Sequence, residues 1–141
     1  MRPRIAKRIA LPVATEAQEH FTLVGHLKWM LRPAVVWWHT GNGELRSRAA
    51  AVKLHRMGVM PGIPDFLFLA AGVLYGLELK RRRGGATSAA QADMQRRLVG
   101  QGAVIATARG CDEAMAIIAG WGLLRRGKHG LQVSGHSSHP A

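Results

Sequence analysis

The stretch that decides the fold is Ile63-Pro64-Asp65-Phe66-Leu67-Phe68-Leu69-Ala70-Ala71-Gly72-Val73-Leu74-Tyr75-Gly76-Leu77-Glu78-Leu79-Lys80. Two apolar runs, Asp65 to Ala70 and Val73 to Lys80, are separated by two residues, so they can only fold back as an antiparallel hairpin turning at Ala71-Gly72. In that register residues whose numbers sum to 143 lie opposite one another, and Asp65 faces Glu78. Directly opposed side chains have Cβ atoms about 4.5–5.5 Å apart, where like charges repel. Lys80 lies two residues beyond Glu78 and so on the same face of the sheet. Two carboxylates and an ammonium thus converge within an otherwise apolar hairpin.

Oxygen donors of this kind suit Mg²⁺ or Mn²⁺, which take one or two carboxylates and complete an octahedron with water and phosphate oxygens. The chemistry implied is phosphodiester hydrolysis, with Lys80 orienting or deprotonating water or neutralising phosphate oxygens. The competing reading makes Asp65 a turn residue and Glu78 and Lys80 a solvated strand face.

Outward from the hairpin, helical spacing of His20, Val24, Leu27 and Leu31, with Glu16 one turn earlier on the same stripe, predicts a helix from Glu16 to Leu31, ended by Pro33. The run Ala34 to His39 reads as a buried strand, its Trp37 and Trp38 pointing to opposite faces beneath helices. A second helix is expected from Leu45 to Met57, with Ala50, Leu54 and Met57 inward, Lys53 and Arg56 outward, and Gly58 as its stop. Ser88 and Gln91 have capping-box spacing and open a third helix that runs through Met94 and Leu98 to Gly100. Ala103 to Ala108 reads as a strand and Asp112 to Leu124 as a final helix. The order predicts a single-domain α/β sandwich, a mixed sheet flanked by helices.

The chain carries 20 Lys and Arg against 8 Asp and Glu, a net charge of +12. That surplus fits a polyanion, nucleic acid first, better than an acidic or neutral small substrate. Basic residues cluster in Arg2 to Arg8, Arg46 to Arg56, Lys80 to Arg83 and Arg125 to Lys128. Arg46, Arg48, Lys53, Arg81, Arg82 and Arg83 are the candidate DNA contacts, although a charge run is more often a solvated loop. The lone Cys111 offers neither an internal disulfide nor a zinc ribbon, no apolar run is long enough to span a bilayer, and Pro12 interrupts the short apolar piece after the first residues. A cytoplasmic protein without membrane association or an organic cofactor is expected. Residues 1–124 form the domain in this reading, with 1–13 a basic arm and 125–141 a basic, flexible tail poor in apolar residues. The tail's His129, His136 and His139 lack a Cys or carboxylate to complete a metal site.

Gly62-Ile63-Pro64-Asp65, Glu78-Leu79-Lys80 and Ser88-Ala89-Ala90-Gln91 resemble, in order, the G-x-P-D, E-x-K and S-x-x-Q signatures of the VRR-NUC branch of the PD-(D/E)XK nuclease superfamily. Asn42-Gly43 resembles that branch's Asn-Gly loop, and Ala108 to Ala114 resembles the segment after its last strand, with its usual Val-Arg-Ser altered. The resemblance implies a restriction-endonuclease-like fold and divalent-metal-dependent cleavage of DNA, often branched or structured, in phage or repair settings. It also implies roles: Asp65 and Glu78 as metal ligands, Lys80 as the water-activating residue, Gln91 facing the site and Glu16 as an outer acid. His20 stands where the family has Gln. Gln91 has a competing structural role in the capping box; Glu16 has one as a helix first-turn acid, and Glu19 competes with it for the outer position. Symmetric cutting of two strands calls for a homodimer. The alternatives are a non-catalytic basic nucleic-acid-binding module, or a phage accessory protein that retains the nuclease fold.

Overall fold

The computed structural model describes residues 12–41 and 47–127. The candidate contact Arg46, the Asn42-Gly43 loop, most of the basic arm and the tail histidines lie outside the described residues. Four strands, β1 (Val36–His39), β2 (Phe66–Ala70), β3 (Val73–Lys80) and β4 (Val104–Arg109), form one sheet in the order β1-β2-β3-β4. The first three are antiparallel and β4 runs parallel to β3, so the sheet is mixed as expected. The helices are α1 (Glu16–Met30), α2 (Arg48–Arg56), α3 (Ala89–Gly100) and α4 (Cys111–Gly120).

The hairpin has the register read from the sequence, from Phe66 opposite Leu77 to Ala70 opposite Val73. Its turn residues Ala71 and Gly72 have φ of 48° and 77°, the positive pair that a two-residue turn needs to match strand twist. Alanine bears a Cβ penalty there. Ala71→Gly is therefore expected to stabilise the protein by about 1 kcal/mol, read as an upward shift of the urea midpoint; an unchanged or lowered midpoint would show that the turn is unstrained.

Alternation along the strands sorts the sheet into two faces. Phe66, Phe68, Leu77 and Leu79 pack with Leu23, Leu27, Ala114, Ile118 and Leu123 from the α1 and α4 side into the main core. Leu67, Gly76, Glu78 and Lys80 point the other way. A Cβ on Gly76 would come within 2.6 Å of Ile105 Cδ1 and 3.0 Å of Pro64 Cγ, so glycine keeps that layer thin beside the acid.

The helices differ from the sequence reading in instructive ways. Thr15 and Gln18 form a capping box that starts α1, and its buried stripe is Glu19, Leu23 and Leu27, continued by Leu31. The predicted stripe of Glu16, His20 and Val24 is rotated toward the edge, where His20 and Val24 are half-buried. A buried acid at position 19 disguised the true apolar face. α2 is capped by Ser47 and has no buried residue; Leu54 is half-buried and Met57, expected inward, is 71% exposed. The helices cover β3 and β4 rather than β1, so Trp37 is half-buried while Trp38 is 42% exposed, not buried beneath a helix as expected. α4 ends at Gly120, and Gly122 at φ 74° turns the chain so that Leu124 bridges Leu31. Arg125, assigned by sequence to the flexible tail, is tied down: its backbone N–H donates to Met30 O at 2.7 Å and its Nε to Leu31 O at 3.0 Å.

Candidate active site

Asp65 is positioned from three sides. Thr40, just after β1, donates its backbone N–H to Asp65 O and its hydroxyl to Pro64 O, both at 2.9 Å. Gly62 has φ 82°, and a Cβ there would lie 2.3 Å from Ala90 O in the first turn of α3. Only glycine permits that approach, and the approach brings Asp65 and the capping turn of α3 to one place. The Asp65 carboxylate accepts the Leu79 N–H through Oδ2 at 2.8 Å.

Opposite it, Glu78 is buried. Its Oε1 lies 2.8 Å from Lys80 Nζ and accepts a second hydrogen bond from Gln91 Nε2. Gln91 Oε1 accepts the Ser88 N–H at 2.9 Å and lies 3.3 Å from Lys80 Nζ. Gln91 thus closes the capping box through its Oε1 while its amide joins the Glu78–Lys80 pair. Among the described residues, Glu78 Oε2, buried as well, has no hydrogen-bond partner.

Burial pushes both carboxyls above the ordinary carboxylate range. For Asp65 the Leu79 N–H opposes that rise and nearby Glu16 adds to it. For Glu78 the hydrogen bond from Lys80 opposes it and Asp65 adds to it. Between the ordinary range, near pH 4, and the raised native values, the folded protein holds more protons than the unfolded chain, so stability falls as pH rises through that window. The double variant Asp65→Asn/Glu78→Gln lacks this contribution. Thermal melts in chelator should show its melting temperature falling less than that of the wild type as pH rises from about 4; parallel curves would mean that the pair is not strained.

A cavity of about 850 Å³ opens over these groups and is lined by Asp65, Glu78, Lys80 and Gln91 together with α2 and the segment that follows it. Glu16 lines the same cavity. Glu19 is directed elsewhere: Oε1 pairs with Arg82 Nε at 2.8 Å, and Oε2 accepts the Cys111 N–H at 2.8 Å. Of the two acids, Glu16 and not Glu19 lines the cavity. His20 packs against His39 and Phe66 with ring centroids 4.3 and 4.5 Å away, and burial lowers its pKa.

The donor chemistry fits a hard divalent cation. A buried carboxylate oxygen without a donor and two carboxyls strained toward neutrality would both be relieved by one. Among the described residues no group of three or more His, Cys, Asp or Glu could hold an ion; Asp65 and Glu78 offer two carboxylates, a number Mg²⁺ commonly takes.

Of the candidate DNA contacts, Arg48 lines the cavity, and Lys53, Arg81 and Arg83 are exposed. Arg82 is half-exposed and occupied by Glu19 and by Asp112, 3.3 Å from its Oδ2. Sequence reasoning missed three residues. His55 and Arg56 line the cavity, which their spacing from Arg48 on one helix face could have suggested. Arg109 clamps the connection after Lys80 by donating to Gly84 O at 2.6 Å and Gly85 O at 3.2 Å; no local pattern announces it.

No protein-family model matches the chain, and no curated protein matches it in sequence. Among solved structures, a protein described as a VRR_NUC domain protein superposes with a TM-score of 0.62 at 22% identity, over 79% of this chain and 90% of that one. The chain therefore has a VRR-NUC-like fold, a small α/β domain with a mixed four-stranded sheet.

Proposed function

We propose that the protein is a divalent-metal-dependent endonuclease of the PD-(D/E)XK superfamily that hydrolyses DNA phosphodiester bonds, acting as a homodimer on branched or structured DNA in a phage or repair setting. The observation that carries this reading is buried Glu78, paired to Lys80 and Gln91 opposite Asp65, with one carboxylate oxygen lacking a donor. Asp65 and Glu78 would hold Mg²⁺ or Mn²⁺, which when bound supplies Lewis acidity toward the scissile phosphate.

The chain's own groups do the rest. Lys80, its ammonium held by Glu78 and Gln91, orients the attacking water and offsets charge that builds on the phosphate. Gln91 fixes that ammonium from a rigid helix start. Glu16 adds negative charge at the cavity wall. Arg48, Lys53, Arg81 and Arg83 neutralise backbone phosphates, which makes affinity steeply salt-dependent without conferring sequence preference. Two copies related by a two-fold axis would present one site to each strand.

The test is incubation of the purified protein with junction, flap and linear DNA in Mg²⁺ or Mn²⁺. Products that vanish in chelator, together with a Mg²⁺-induced rise in melting temperature absent from Asp65→Asn, support the reading. Salt-dependent binding with no product in either metal would leave a basic nucleic-acid-binding module instead.

A further inference from the structure

Three rings meet where α1, β1 and β2 converge, and each neighbours a residue of the candidate site. His20 lies on α1 one turn after Glu16, which lines the cavity. His39 ends β1 directly opposite Phe66, the residue after Asp65. It also precedes Thr40, whose N–H and hydroxyl hold the carbonyls of Asp65 and Pro64. The His20 ring sits in the corner between the other two, edge-on to His39 with 81° between the planes and tilted by 34° on Phe66. His39 and Phe66 are themselves 5.5 Å apart, so the rings form one packed cluster.

Among the described residues that line the cavity, none is one of these rings, so they act on the site through what they hold. Phe66 is fully buried in the main core and offers a fixed surface, His39 is exposed, and His20 is half-buried between them. Burial and then His39 lower the His20 pKa, while Glu16 opposes them. At neutral pH the ring is therefore uncharged and packs as an aromatic. Val24, one turn further along the same edge of α1, is also half-buried and packs against the core, but it neighbours no residue of the site. Space-filling alone would make the two positions equivalent; the contacts of His20 do not.

We infer that His20 is a positioning residue, its ring wedged between His39 and Phe66 so that Asp65 and Glu16 are held at the spacing from which a divalent cation is bound. This rests on the metal site of the nuclease reading and extends it to a side chain outside the acid pair. Groups that orient a metal ligand without touching the metal typically alter metal affinity by about 10–100-fold when removed.

The Mg²⁺-induced rise in melting temperature, measured on the full chain without DNA, reports on the site without requiring catalysis. His20→Ala should raise the Mg²⁺ concentration that gives half of this rise by about tenfold or more, and move the Mg²⁺ midpoint of single-turnover cleavage by the same factor. His20→Phe, which keeps a flat ring in the corner, should return both midpoints to within about twofold of the wild type. Val24→Ala should lower the melting temperature without moving either midpoint, which separates positioning from loss of packing. Should His20→Ala not fold, His20→Leu, with bulk but no ring plane, takes its place with an expected shift of about threefold or more. An unmoved midpoint in the variant without a ring, or a His20→Phe midpoint as weak as that of His20→Ala, would overturn the inference. Mg²⁺ midpoints that shift as expected in a protein that cleaves no DNA would overturn the nuclease reading and keep the positioning role; cleavage with unmoved midpoints would do the reverse. No Mg²⁺-induced rise in the wild type would overturn both.

Discussion

Glu78→Gln should lower metal-dependent cleavage by about 10³-fold or more, with the fold intact. The isosteric amide keeps an oxygen for Lys80 but removes the charge that, in the proposed reading, would act with Asp65 to draw a divalent cation into the site. Losing several kcal/mol of charge stabilisation in the transition state corresponds to a rate change of that size. Asp65→Asn should match it, because the amide oxygen can still accept the Leu79 N–H and the local turn is preserved. Lys80→Ala should also reduce cleavage, by about 10²–10³-fold, yet keep the Mg²⁺-dependent rise in melting temperature, since both carboxylates remain. DNA affinity in chelator should not fall for the two carboxylate variants, because removing negative charge cannot weaken attraction to a polyanion. Single-turnover cleavage measured across a Mg²⁺ titration decides the matter; a carboxylate variant that keeps more than a tenth of the wild-type rate would remove the acid pair from the chemistry.

The largest loss of stability is expected at Glu19, away from the cavity. Gly110, which precedes α4, offers no side-chain cap, and the helix start is instead satisfied from α1, where Glu19 accepts the Cys111 N–H. Glu19→Ala deletes a charge-assisted hydrogen bond and leaves a buried donor without a partner, a loss of about 2–3 kcal/mol. In a domain of this size that lowers the melting temperature by about 10 °C. Because Arg82 is half-exposed, its pairing with Glu19 is screened by solvent and adds little to that figure. Its effect is positional. Arg82 packs against Gly110, whose N–H donates to Lys80 O at 2.9 Å, so loosening Arg82 should also reduce cleavage through Lys80. Glu19→Gln, which keeps an acceptor, should lose less than half as much stability. If urea denaturation placed Glu19→Ala within 0.5 kcal/mol of the wild type, α4 would have to be held by other means.

Different parts of the site were legible to different degrees. Asp65, Glu78 and Lys80 could be placed together because strand periodicity and a two-residue turn are local, and the observed ladder keeps the sum of 143 throughout. Gln91 was ambiguous in the sequence because a capping box and a site contact ask for the same residue type; the structure shows one side chain meeting both demands. The outer edge of α1 was misread by one position because Glu19, an acid, occupies a core-facing place. Its partner Arg82 is 63 residues away, and no periodicity within a helix reveals a match at that distance. Met57 and Trp38 were expected inside because apolar residues usually are, but no neighbouring element covers them.

What the sequence by itself determined is therefore short-range: the order of strands and helices, how the hairpin registers, and that two acids and a lysine share one face. Caps, turn residues and the alternation of side chains act within a few residues of each other and need no knowledge of the rest of the chain. Only the tertiary structure decided that Glu16 and not Glu19 faces the cavity, that α2 supplies an apolar and cationic wall, and that Arg109 and Arg82 hold the connection after Lys80. The first and last of these depend on how α1 and α4 pack over β3 and β4, a contact between segments far apart in the chain that no local pattern encodes.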